Sequence, residues 1–124
     1  MNDKIFQNIF NLVQEKLPID WEKLILYISY TQGSYGMKYY VFDKEGRYID
    51  CFSQKDISKK QLITLFVEID KILAPERNAL DEEDRWSAMS MIAYSDGKMK
   101  VEFDYTDISE NTIAYEEEWQ KKYL

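Results

Sequence analysis

Carboxylates are the groups in this chain numerous and close enough to suggest chemistry, and four of them, Asp81-Glu82-Glu83-Asp84, are consecutive. Oxygen ligands of this kind suit a hard cation. A calcium loop, however, alternates its ligands, turns on a glycine and closes with a bidentate Glu at the twelfth position. Here the acids are adjacent, no glycine follows them, and the position in question is Ile92. The run reads as a solvated loop, or as a helix start favoured by the helix dipole. Nucleophilic catalysis would fall to Cys51, but the chain has no histidine to act as its base. A carboxylate pair of the glycosidase type needs a deep cleft on a larger scaffold, and nothing in the spacing signals one. The four glycines, Gly33, Gly36, Gly46 and Gly97, fall at turns and build no phosphate-binding loop. The expectation is no catalytic residue, no cofactor and no metal: a protein that works by binding.

Charge points to what is bound. The first 80 residues balance 11 acids against 11 bases, so the formal net charge of −7 belongs to residues 81–124, which carry 12 acids and five bases. Such a surface repels nucleic acid and anionic membrane and steers a cationic protein. The competing reading is solubility alone, since −7 is ordinary for a small domain. On the docking reading, Glu102, Asp104 and Asp107 supply electrostatic complementarity, with Met89, Met91 and Tyr94 as neighbouring contacts. The acids Asp81, Glu82, Glu83 and Asp84 and the run Glu116, Glu117 and Glu118 extend the surface. Ten tyrosines and three tryptophans add rigid contact area with polar tips.

The elements that must position these groups follow from periodicity. Phe6, Ile9, Phe10, Val13 and Leu17 recur at helical spacing over residues 3–17, with Asn2 or Asp3 as cap and Pro18 as stop. Residues 24–31 alternate with Leu24, Leu26, Ile28 and Tyr30 on one face, QGSYG at 32–36 signals a turn, and 37–43 is a second strand. A loop at 44–46 leads to a third strand over 47–53, placing Cys51 beside Arg47 and Ile49 as a small hydrophobe. Ser58 caps a second helix carrying Leu62, Leu65, Phe66, Ile69 and Leu73, with Pro75 at its end. Residues 76–85 read as a polar loop or a short exposed helical turn.

A second hairpin turns at Asp96-Gly97, the favoured pair for a two-residue type I′ turn. With Ser95 opposite Lys98, Ile92 faces Val101, Ser90 faces Phe103 and Tyr94 faces Met99. That side, with Trp86, Ala88 and Tyr105, becomes the core face. Met89 and Met91 are then exposed among Lys100, Glu102 and Asp104, an adaptable acidic surface. A last helix spans about Ser109 to Tyr123, capped by Ser109 and docked by Ile113, Trp119 and Tyr123. The fold class is therefore α+β: a single domain, residues 1–124, in the order helix, three strands, helix, two strands, helix. Its antiparallel sheet has about five strands, with the helices on one face and the other face partly open. A single cysteine, no signal segment and no run near the roughly 20 apolar residues of a membrane span lead to the expectation of a cytoplasmic protein.

Two strings resemble those of YezG-like immunity proteins. Leu17-Pro18-Ile19-Asp20-Trp21-Glu22-Lys23 is similar to the segment after that family's first helix. Lys98-Met99-Lys100-Val101-Glu102-Phe103-Asp104-Tyr105, followed by Asp107, resembles its late strand, and Trp86 opening the preceding strand also fits. The segment between the second helix and Trp86 departs from the family's pattern. The resemblance implies an antitoxin that binds and inactivates the toxic C-terminal domain, often a nuclease, of a secreted antibacterial toxin, and protects the producer within the cytoplasm. It implies a one-to-one, non-enzymatic complex with a basic domain, without nucleic acid or membrane as partner. The alternative is an adaptor or secretion chaperone that holds a secreted effector without inhibiting it; a third class is a small carboxylate hydrolase. Trp21, Trp86 and Phe103 are assigned to the core.

Overall fold

The computed structural model describes residues 3–124. Helix α1 (Asp3–Gln14) is followed by strands β1 (Lys23–Thr31), β2 (Ser34–Phe42) and β3 (Tyr48–Asp50). Then come helix α2 (Lys59–Asn78), strands β4 (Ala88–Tyr94) and β5 (Met99–Asp104), and helix α3 (Thr112–Tyr123). All pairings are antiparallel and the sheet order is β3-β2-β1-β4-β5.

The helix limits are set by local chemistry. Phe6, Ile9 and Val13 give α1 one buried stripe. It ends at Gln14, short of the expected residue 17, where Lys16 and Leu17 donate to the carbonyls of Val13 and Gln14 in tight turns before Pro18. Asn2, an expected alternative cap, lies outside the described residues. Ser58 caps α2 in a reciprocal box with Gln61: Ser58 Oγ accepts from Gln61 N at 3.1 Å, and Gln61 Oε1 accepts from Ser58 N at 2.8 Å. Pro75 does not end this helix. It sits in the last turn, where its missing N–H forfeits one bond to the Lys71 carbonyl, and its own carbonyl still accepts from Ala79 N at 3.1 Å. The polar stretch after it contains one 3₁₀ turn, Glu82–Asp84.

The strands also differ in detail from the expected pattern. The β1–β2 turn uses only Gln32 and Gly33, with Gly33 at φ +79°, so Ser34, Tyr35 and Gly36 already pair as strand. The third strand stops at Asp50, whose carboxylate accepts from Phe52 N and Ser53 N and starts a 3₁₀ turn over Cys51–Ser53. That turn buries Cys51 in the main core rather than setting it on a strand face beside Ile49, which is exposed.

The β4–β5 register departs by one residue from the type I′ expectation. Tyr94 N donates to Lys98 O at 2.9 Å and Gly97 N to Tyr94 O at 3.0 Å, so Ser95, Asp96 and Gly97 form a three-residue loop with Gly97 at φ +94°. Met91 then pairs with Val101, and Met89 with Phe103. A slip of one residue exchanges the two faces of a strand. Met89 and Met91 are 0% exposed and belong to the core under α1 and α2. Ala88, Ser90 and Ile92 face the other way, and Tyr105, expected inside, is exposed.

Two cores share the sheet. On one face, α1 and α2 cover Leu24, Leu26, Ile28, Tyr39, Val41, Met89 and Met91, with Trp86, Phe103 and Trp21 packed in or against the cluster. On the other, Ile25, Tyr27, Tyr40, Phe42, Ala88 and Ile92 pack around Trp119 of α3. The expectation of helices on one face holds for α1 and α2 and fails for α3. Central strand β1 is accordingly apolar on both sides, as its near-continuous LILYIS run requires.

Candidate functional site

Most of the acidic residues singled out above lie on three separate parts of the molecule, with Glu116 and Glu117 apart from them on α3. The first is a recess between edge strand β5 and α3, lined by Glu102, Asp104 and Glu118 with Tyr115, Lys122 and Tyr123. Here Tyr115 and Tyr123, spaced one either side of Trp119 at intervals of four, form the docking stripe of α3. Tyr115 Oη donates to Asp104 Oδ2 at 2.7 Å, Trp119 Nε1 to Ser90 Oγ at 2.7 Å, and Tyr123 Oη to Glu102 Oε1 at 2.9 Å. Glu102 and Asp104 thus anchor α3 to the sheet as well as facing outward. The Tyr115 hydroxyl, then the Thr106 amide, hold the Asp104 carboxyl below its ordinary range. Burial, followed by the bond to Asp104, pushes Tyr115 up.

Ile113 is 76% exposed and takes no part in this docking, because its position six residues before Trp119 falls off the stripe. Ser109 is not the cap of α3 either: its N and Oγ are bound to Asp107 Oδ1 at 3.1 and 2.8 Å, and the helix starts at Thr112 after Asn111. Those two bonds hold Asp107 below its ordinary range and leave it exposed.

The second part is the 3₁₀ turn. Asp81, Glu83 and Asp84 are exposed and carry oxygens within 4.8 Å of one another. Such clusters are common on solvated surfaces, and this one alone assigns no ion. Glu82 turns toward a third region, an open groove that Asp107 also lines. On α3, Glu116 pairs with Lys38 at 3.8 Å and Glu118 with Lys121 at 3.2 Å, while Glu117 is exposed without an ion pair among the described residues. The methionine contacts do not exist as surface: Met89 and Met91 are buried. Tyr94 is 40% exposed, but it ends β4 at the hairpin loop, six residues along that strand from Ala88, the partner of Asp104, a separation of roughly 20 Å.

The anchoring roles of Tyr115 and Ser90 were missed from sequence, although the Tyr115, Trp119, Tyr123 spacing carries the signal. The chemistry available across these surfaces is charge complementarity and hydrogen bonding. The model of the YezG-like immunity protein family matches residues 2–124. The chain belongs to the YezG-like immunity protein family. The chain is similar to the type VII secretion system protein EsaG of Staphylococcus aureus (strain NCTC 8325 / PS 47), with 25% identity over 111 residues, covering 84% of this chain and 68% of that protein. An immunity role, that of an antitoxin toward a cognate toxin, follows from the family. No helix among the described residues is long and apolar enough to cross a membrane.

Proposed function

We propose that this protein neutralises the basic, C-terminal toxic domain of a secreted antibacterial toxin, and that the domain is a nuclease. It acts in the cytoplasm by forming a one-to-one complex, not by catalysis. The observation that carries the reading is the family match over residues 2–124. The charge placement supports the nuclease assignment: a nuclease must attract phosphates and so presents a cationic groove, and the exposed acids of residues 81–84, 107 and 117–118 complement one. Long-range steering of this kind raises the encounter rate, while buried contacts set the lifetime of the complex.

The second reading is an adaptor or secretion chaperone, favoured by the similarity to a protein named for a secretion system. Co-expression separates the two. A candidate toxin domain, sought in the reading frames neighbouring this gene, is induced in a heterologous bacterial host with and without this protein. Restored growth together with intact nucleic acid supports the inhibitor. Stable complex formation with undiminished toxicity supports the chaperone.

A further inference from the structure

The open groove at the end of the sheet, enclosing about 880 Å³, is bounded by the β1–β2 turn, the end of α2 and the loop after β5. It holds two arginines, and the other charged residues that line it are acids, Asp70, Glu82 and Asp107. Each is fixed by one side of its guanidinium. Arg77 Nε donates to Trp86 O at 2.6 Å, and its planar group lies over the rings of Tyr30 and Trp86 at 4.9 and 5.4 Å. Arg85 Nη2 donates to the carbonyls of Asn78 and Leu80 at 3.1 and 2.8 Å, closing the end of α2. Neither arginine forms an ion pair with any carboxylate of the described residues. Arg85 Nε is a buried N–H with no acceptor. Burial and the neighbouring Arg85 charge both push Arg77 down from its ordinary pKa. Two like charges brought together, held by backbone carbonyls and rings and with no carboxylate of the described residues within 4.0 Å, present a surplus of donors in a fixed fork.

We infer that Arg77 and Arg85 bind a single carboxylate, presented by the partner protein as an Asp or Glu side chain or a chain terminus. A planar carboxylate matches the guanidinium fork. An extended polyanion does not suit the groove, because Asp70, Glu82 and Asp107 line it and repel further negative charge. The exposed Tyr35 and Tyr105 on the same groove suit a protein surface. On a molecule that attracts its partner through acids, one contact of opposite sign fixes the register in which the two dock. The identity of the partner rests on the function proposed above; the carboxylate site does not.

The test is a titration of the purified protein with sodium acetate at pH 6.5, against sodium chloride at equal ionic strength, following the arginine Nε–H resonances by NMR. The expected result is a saturable shift of the Arg77 and Arg85 signals, with a dissociation constant on the order of 10 mM. Arg77→Gln weakens it about tenfold. Shifts no larger than those with chloride, or unchanged binding in Arg77→Gln and Arg85→Gln, overturn the inference. Inorganic phosphate binding the pair more than tenfold tighter than acetate also overturns it, in favour of a free phosphorylated ligand. Arg85→Gln also removes the closure of α2, so the wild-type titration decides if that variant does not fold. If the co-expression experiment finds no toxin neutralisation while acetate still binds, the proposed function fails and the site stands.

Discussion

Asp104 and Tyr115 sit 2.7 Å apart, and that bond links a surface charge to the seat of the last helix. Tyr115→Phe removes the hydroxyl and leaves the ring. Unfolding in urea at pH 7 is expected to show a loss of about 1 kcal/mol, less than a fully buried charged bond would contribute because Asp104 is half-exposed. The sign of its pH dependence follows from the carboxyl. The native pKa of Asp104 lies below the ordinary 3.8, so its contribution is complete above that value and disappears as the pH falls through the native pKa. The gap between wild type and Tyr115→Phe should therefore stay constant from pH 7 to about 4 and close only below 3.8. A gap that closes near neutrality, or never, would mean that another group carries the coupling. The same geometry changes what charge reversal at this spot does. Replacing Glu102 and Asp104 by Lys withdraws two acceptors from α3, so lower stability should accompany any slower association.

The register of the β4–β5 hairpin decides which side chains belong to the interior. Met91→Ala is expected to cost about 2–5 kcal/mol in denaturant unfolding, as for a buried methionine, and Tyr94→Ala within about 0.5 kcal/mol, as for a surface position. The reverse ranking would restore the slipped register. Sequence supports the element order well, because the apolar spacing of α1, α2 and β1 and the capping Ser58 are strong local signals. It does not fix the hairpin, since Asp96-Gly97 suits both a two-residue turn and a three-residue loop with glycine at positive φ. That single ambiguity turned Met89 and Met91 from core into supposed surface. The side taken by α3 was legible in principle. Leu24 through Ile28 is apolar at every position, which a strand covered on one side alone does not require. Pro75 misled in a different way: near the end of a helix it forfeits one bond and does not stop the turn.

At the scale of the whole molecule, the charge imbalance survives folding, but its acids are divided among the β5–α3 recess, the 3₁₀ turn and the groove edge. Sequence identified which residues are acidic and which third of the chain they occupy. It did not show that Glu102 and Asp104 are shared with an internal anchor, because partners 21 and 11 residues away meet them only through the packing of α3. Nor did it single out Arg77 and Arg85, whose lack of an ion pair among the described residues is a property of three-dimensional placement. A partner guided by long-range field should respond to total negative charge more than to any one carboxylate. The most direct measurement is the association rate with the cognate toxin domain, across ionic strength, for wild type and for Glu82, Glu83, Glu117 and Glu118 changed together to Gln. These four are exposed and none of them anchors α3. The prediction is an on-rate lowered roughly tenfold at low salt, a flatter dependence on ionic strength and an unchanged off-rate. An on-rate and salt dependence equal to those of the wild type would contradict the claim that the acidic surface guides docking.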